Sequence, residues 1–241
     1  KSFFWIYKIF LKKAKKIIVQ TKDSEIWMSK NFPTAYVEVI PNPVEYPLHL
    51  DKSKSIHPDS LILPNKKIIL ASGRLHKYKQ FDLLLKAFSS IQHQYQEWDL
   101  VILGDGEERD KLNQSIIDLE IKERVFLPGS VGNISTWYER ADLFVLCSKL
   151  EGFPNVLLES MSYGLPCISF DINTGPRDMI QNGVNGILVN PMEKELGIKK
   201  ALIKMINNDE LRKVFSHRSI ILKDKYSIKN VMQIWDKVLN F

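Results

Sequence analysis

The sequence predicts the α/β class, with a doubly wound parallel sheet. Three observations point there. From Lys67 onward, short apolar runs alternate with segments of helical length and helical apolar spacing, the pattern of repeated β-α-β units. Several of these runs end in a loop carrying glycine or proline, at Ser72-Gly73, Leu103-Gly104, Leu127-Pro128-Gly129 and Glu151-Gly152-Phe153-Pro154. No apolar run approaches the ~20 residues of a membrane-crossing helix, and a 241-residue chain that is 44% hydrophobic can fill one good core and part of another.

Taken in order, residues 1–16 read as a helix, apolar nearly all round from Phe3 to Leu11 and then lysine-rich. Lys1, Lys8, Lys12, Lys13, Lys15 and Lys16 come with no acid and account for the whole net charge of +6. Two readings stand: a helix in an anionic membrane interface, with lysines on phosphates, or a helix buried on a neighbouring domain with its lysine heads in water. A nucleic-acid binder would spread its basic residues along a working face, so nucleic acid is not expected as a partner. Residues 16–21 form a short strand, Thr21 or Asp23 caps a helix to about residue 30, and residues 36–40 alternate as a second strand that Pro41-Asn42-Pro43 stops. Residues 45–66, with Pro47, Pro58 and Pro64, read as a linker or loop.

The regular part then predicts strands at 68–71, 99–103, 124–127, 143–147, 167–170 and 186–189. Between them come helices at 81–93, 107–120 and 134–140, a helix opening at Asn155 and ending at Gly164, and one at 177–182. Helices at 193–207 and 209–224 close the domain, and an amphipathic helix over 227–241 carries Ile228, Val231, Ile234 and Trp235 on one face. Cys147 and Cys167 lie in apolar strands and read as buried free thiols, which fits a reducing compartment. No Cys/His cluster and no Asp-x-Asp pair has metal-ligand spacing, so no metal is expected.

Open parallel sheets bind ligands at the carboxyl ends of their strands. After the 143–147 strand, Gly152 and Pro154 put Glu151 in a loop, Asn155 reads as the N-cap, and Glu159 sits one turn into the helix, able to point at the same opening. A helix N-terminus suits an anion, and two carboxylates accept hydrogen bonds from hydroxyls, a combination that fits a sugar nucleotide. The competing reading is a capping acid and a solvated acid. After the 68–71 strand, Gly73 allows a tight turn, and Arg74 and Lys79 can reach one anionic group. Gly104-Asp105-Gly106 is a tight turn; Arg109 stands where a dinucleotide fingerprint needs its third glycine.

The segment Glu151-Gly-Phe-Pro-Asn, with Glu159-Ser-Met-Ser-Tyr-Gly-Leu-Pro after it, resembles the paired-glutamate motif of retaining glycosyltransferases of family 4, which have the two-domain GT-B fold. Gly73-Arg74-Leu75 with Lys79 is similar to a second motif of that family, departing from it at Gln80, where a glycine often follows the lysine. The resemblance covers essentially residues 36–241. It implies a Rossmann-like, nucleotide-sugar-binding domain over 67–226, with 1–44 a remnant of the acceptor-side N-terminal domain, 45–66 a linker, and 227–241 a helix returning to the N-terminal domain. A complete N-terminal domain takes on the order of 150 residues, so the chain reads as truncated at its start and inactive alone.

What the resemblance implies chemically is transfer of a hexose, with retention, from a nucleoside diphosphate sugar to a hydroxyl of a glycan or lipid-linked acceptor. Uridine diphosphate is the favoured donor nucleotide, and the setting is bacterial surface polysaccharide synthesis, in the cytoplasm with peripheral contact on the inner membrane face. Arg74 and Lys79 would neutralise the diphosphate. Glu151 would meet a donor-sugar hydroxyl and Glu159 the ribose. The backbone of Gly152, Phe153 and Asn155, and of Val156 and Leu157, would face sugar or phosphate. Gly104 would lie near the donor, with Pro128 and Val131 at the nucleobase. No cofactor is implied beyond the donor substrate. Paired carboxylates also serve glycosidases, but neighbouring basic groups favour a nucleotide donor. A non-hydrolysing sugar-nucleotide epimerase and a non-catalytic nucleotide-sugar-binding module are the alternatives.

Overall fold

A computed structural model describes residue 11 and residues 14–239. The helix and membrane contact expected of residues 1–16 fall largely outside the described residues. Near the start, β1 (Ile17–Val19), α1 (Lys22–Asn31) and β2 (Val37–Val39) form a β-α-β unit, β1 pairing parallel to β2 with Ile17 opposite Val37. Thr21, not Asp23, caps α1: its hydroxyl accepts from the Ser24 amide at 3.2 Å.

The second unit runs β3 (Lys67–Ser72), α2 (Phe81–Ser89), β4 (Trp98–Leu103), α3 (Arg109–Asp118), β5 (Val125–Gly129), α4 (Ile134–Arg140), β6 (Leu143–Leu146), α5 (Asn155–Ser162), β7 (Cys167–Phe170), α6 (Pro176–Met179) and β8 (Gly186–Val189). It closes with α7 (Lys194–Ile206), α8 (Asp209–Ser219), α9 (Leu222–Lys225) and α10 (Ile228–Leu239). All pairings in its 6-stranded sheet are parallel, in the order β5-β4-β3-β6-β7-β8. The expected doubly wound sheet is therefore present. Strand order reverses between β3 and β6, which opens a crevice at their carboxyl ends.

Both faces of the sheet are covered, which explains why its strands are continuously apolar. Alternate residues take opposite sides. Ile69, Ala71, Leu100, Ile102 and Val145 pack against α2 and α7, while Ile68, Leu70, Val101, Leu103, Phe144 and Leu146 pack among Trp137 and Tyr138 of α4 and Leu157, Leu158 and Met161 of α5. Cys147 and Cys167 are buried free thiols; burial holds the Cys147 thiol well above its ordinary range and pushes Cys167 up to about 12.

Residues 45–66 form a loop with two short turns that is fastened to the domain. Asn133 donates to the Ile56 carbonyl at 3.0 Å and accepts from its amide at 3.0 Å, Trp137 Nε1 donates to the same carbonyl at 3.0 Å, and Ile62 is buried. The helix expected over 209–224 is divided after Ser219, whose hydroxyl donates back to the Ser216 carbonyl at 3.0 Å, a local bond that competes with helix continuation. Helix α10 returns to the first unit: Val231 and Val238 pack with Ile40, joined by Ile18, Ile234 and Trp235. Ile228, expected on that face, is exposed.

Candidate active site

Three strand ends build the floor of a cleft of about 300 Å³ lined by Gly73, Arg74, Gly104, Asp105, Val131 and Ile134, among others. Ser72 lies opposite Leu103 in the sheet register, so Gly73 and Gly104 follow as neighbours. The Gly73 amide donates to Leu103 at 3.0 Å and the Gly104 amide to Gly129 at 2.8 Å. All three glycines have positive φ, of 151°, 124° and 96°. A Cβ on Gly104 would stand 2.0 Å from the Gly73 carbonyl oxygen, and one on Gly73 would stand 3.0 Å from Lys79 Cε. The glycines are needed for close approach of backbone to backbone and of backbone to the lysine stem.

The loop after β3 meets the loop after β6 across the switch point. Lys79 Nζ lies 2.6 Å from Glu151 Oε1, with the two side chains only 19% and 12% exposed. The loops are also tied by Lys149, whose amide donates to the Tyr78 carbonyl at 2.7 Å, and by Cys147 Sγ, which donates to the Lys79 carbonyl at 3.1 Å. Gln80, the departure from the family pattern, is left-handed at φ 51° and ψ 37°, which is why glycine suits that position. Arg74 does not join Lys79 on Glu151. Its guanidinium reaches Glu107 at 3.2 Å and is 74% exposed. Glu107 also faces His76 Nε2 at 3.2 Å, and its own backbone amide, then Arg74 and His76, hold its carboxyl below the usual range.

The turn into α5 differs in detail from expectation. Pro154 is the N-cap and has no side-chain cap bond, while Asn155 is the first helical residue. Its Oδ1 accepts from Asn42 Nδ2 at 2.9 Å, so Asn42, just after β2, has recruited the side-chain oxygen that was expected to cap. The Asn155 amide donates to Phe153 at 2.9 Å and the Leu157 amide to Pro154 at 3.0 Å. Among the described residues the amides of Gly152, Phe153 and Val156 have no partner. The Phe153 and Leu157 side chains are buried in the core, so only backbone is presented there. A Cβ on Gly152 would meet nothing within 4 Å. The loop after β7 braces this turn: the Thr174 hydroxyl donates to the Glu151 carbonyl, and Gly175, at φ 95°, packs so closely on Pro154 that a Cβ would stand 2.1 Å from its ring. Thr174 carries no motif signal strong enough to have been singled out.

Glu159 stands in a different environment from Glu151. It is partly buried on α5, and the Tyr138 hydroxyl donates to its Oε2 at 2.9 Å. Burial pushes the Glu159 carboxyl up, and the Tyr138 bond opposes that shift. Tyr138 is itself 1% exposed, and burial, then the facing Glu159 charge, holds its phenol protonated. Sequence reasoning passed over Tyr138 because an aromatic on a helix face reads as core. Of the two residues expected at a base, Val131 lines the cleft and Pro128 does not. Strand β5 continues through Pro128 to Gly129, and Pro128 lines a separate groove with Leu61, Ile116 and Phe126.

The family whose model matches residues 52–220 is described as glycosyl transferases group 1. Among curated proteins, the chain is 31% identical to an uncharacterized glycosyltransferase of Haemophilus influenzae, over 93% of this chain and 61% of that protein. It is 30% identical to the amylovoran biosynthesis glycosyltransferase AmsD of Erwinia amylovora, over 94% and 62%. It is 34% identical to the lipopolysaccharide 1,6-galactosyltransferase of Salmonella typhimurium, over 68% and 45%. The chain thus spans about three-fifths of the length of the first two of these relatives. Among solved structures, a TarM variant of S. aureus, in complex with fondaparinux, alpha-GlcNAc-glycerol and UDP, superposes with a TM-score of 0.82 at 24% identity over 96% of this chain and 45% of that one. Sucrose-phosphate synthase of Thermosynechococcus elongatus does so with 0.84 at 17% over 98% and 60%. At these identities the likeness is one of fold.

Proposed function

We propose that this chain, which belongs to the glycosyl transferases group 1 family, forms the donor-binding part of an enzyme that moves a hexose from a nucleoside diphosphate sugar to a hydroxyl. The donor in this reading carries uridine diphosphate, the acceptor is a glycan or lipid-linked sugar, the anomeric configuration is retained, and the product belongs to a bacterial surface polysaccharide. The observation that carries the reading is the Lys79–Glu151 pair across the switch point, set among exposed Arg74, the glycine floor and the partnerless amides of Gly152, Phe153 and Val156.

These groups can do what the reaction requires. As the sugar–phosphate bond breaks, charge develops on the departing diphosphate. Preorganised cations and backbone N–H groups in a cleft stabilise such charge without reorganising at the moment of reaction. Arg74 and Lys79 would exchange Glu107 and Glu151 for phosphate oxygens. Glu151, released from Lys79, would accept a hydrogen bond from a donor-sugar hydroxyl. Gly152 leaves room for that sugar, and Glu159 offers its second oxygen to the ribose. Backbone around Val131 and Gly104 would flank the base and diphosphate. In this reading the acceptor is held outside the described cleft, and the 241-residue chain alone would bind donor without transferring sugar. Peripheral membrane contact through residues 1–16 belongs to the same proposal; co-sedimentation with anionic vesicles, lost on removing 1–16, would support it. Among the described residues no helix is long and apolar enough to cross a membrane.

The test is thermal unfolding against a panel of nucleoside diphosphates and their sugars. A ligand at ~100 times its dissociation constant adds about 2.7 kcal/mol of stability. The expected result is stabilisation by uridine diphosphate that disappears in Arg74→Ala and Glu159→Ala. No stabilisation by any nucleotide would sink the donor reading.

A further inference from the structure

Glu159 lies on an apolar wall, and the group that fixes it there comes from another helix. Tyr138 projects from α4 into the core, where its ring meets Phe144 at 6.1 Å and Tyr163 at 5.6 Å between centroids. A phenol buried to this extent needs a hydrogen-bond partner. It donates to Glu159 Oε2 at 2.9 Å, with the Val156 carbonyl at 3.5 Å. Among the described residues, the Glu159 carboxylate has no other partner. One carboxylate oxygen is therefore engaged by protein, and the geometry of that bond decides where the other points.

We infer that Tyr138 is a positioning residue for nucleotide recognition: its hydroxyl fixes the Glu159 carboxylate so that the remaining oxygen accepts from the ribose diol of the donor. This rests on the proposed donor site. It adds a division of labour within it, since Tyr138 touches no ligand and acts through Glu159. A phenol suits this role. It donates a hydrogen bond to an ionised acceptor without bringing a charge that would pull the carboxylate away from a neutral diol. It also favours the ionised form of a carboxyl that burial disfavours. Cys167 and Tyr163, the other titratable groups near Tyr138, are neutral at physiological pH and do not compete.

The experiment measures binding of uridine diphosphate and of 2′,3′-dideoxyuridine diphosphate to the chain and to its Tyr138→Phe and Glu159→Gln variants, by calorimetry from pH 5 to 8. Tyr138→Phe keeps the ring and its packing, and its circular dichroism and melting curve check the fold. The expected result has three parts. The unmodified chain prefers uridine diphosphate by about tenfold or more, the value of a charge-assisted hydrogen bond. Tyr138→Phe weakens uridine diphosphate by about tenfold while leaving the dideoxy compound unchanged. Its affinity also falls away at a higher pH than that of the unmodified chain, because its carboxyl has lost the bond that favours ionisation. Equal weakening of both nucleotides would mean that Tyr138 serves folding alone, and no weakening of either would mean that it positions nothing; both overturn the inference while leaving the donor site intact. If the unmodified chain binds both nucleotides equally, the ribose role of Glu159 fails and the inference with it; if it binds neither, the proposed uridine diphosphate site fails first and takes the inference with it.

Discussion

Two walls stand at the carboxyl ends of the strands, and they are held in opposite ways. The loop wall, 73–79 with 104–107 and 151–154, is fastened by ion pairs: Lys79 with Glu151, and Arg74 with Glu107. Arg74 is largely exposed, and its partner can be replaced by another anion at small cost because exposed pairs contribute little. The helix wall, α4 and α5, is fastened by apolar packing and by one neutral-to-charged hydrogen bond from Tyr138 to Glu159. Glu151 and Glu159 are the same residue type in one motif, yet one faces a cation and the other a phenol. The first arrangement suits partner exchange during a reaction; the second suits fixed recognition of a neutral group.

The largest effect should come from Lys79→Ala on the loop wall. In the whole protein, transfer should fall by about 10²–10³-fold, the usual cost of one preorganised charge-stabilising group. The chain should also lose about 2 kcal/mol of stability, because Glu151 keeps its partly buried charge without a cation. Retention of transfer within tenfold would break the assignment of charge neutralisation to this wall. Gly104→Ala should cost about 3 kcal/mol, read from the denaturant midpoint, since its methyl would collide with the Gly73 carbonyl at a positive φ. Gly152→Ala, in open space, should change stability by under about 0.5 kcal/mol while weakening donor binding. Equal costs at the two glycines would show that the loop wall does not rest on the Gly73–Gly104 contact.

On the helix wall the sign reverses. Burial raises the Glu159 carboxyl in the folded state. Its contribution to stability is therefore complete below the ordinary glutamate pKa and is lost as pH rises through the raised value. Glu159→Gln should accordingly melt higher than the unmodified chain at pH 7, with the gain vanishing toward pH 4, even as nucleotide affinity drops. A variant that is destabilised at pH 7 would mean that the Tyr138 bond outweighs burial. The smallest effect is expected of Gln80→Gly, which relieves a left-handed residue and should add up to about 1 kcal/mol; a loss of stability would mean that the glutamine side chain offsets the strain.

Much of this was legible in one dimension. Alternating apolar runs foretold each strand of the six-stranded sheet, and strand-terminal glycines marked the edge where the cleft opens. Helix ends were less legible: α2 stops at Ser89 and α3 opens at Arg109, because single contacts set them and not periodic patterns; beyond Ser89 the chain goes on in turns, and the Glu108 amide is taken by the Leu75 carbonyl at 2.9 Å. The resemblance implies Pro128 at the nucleobase, whereas β5 runs on through it and Pro128 lines another groove, a course of the strand that local sequence does not specify.

The sequence by itself determined the fold class, the strand ends and the residue types gathered there, since periodicity and backbone permissiveness are local properties of a chain. The tertiary structure alone decided which charge meets which, which amides at the start of α5 stay without partners, and that a core tyrosine holds one of the two glutamates. Those are contacts between segments far apart in the chain, 72 residues from Lys79 to Glu151 and 113 from Asn42 to Asn155, and they are fixed by packing across the sheet, for which no spacing along the chain is a guide.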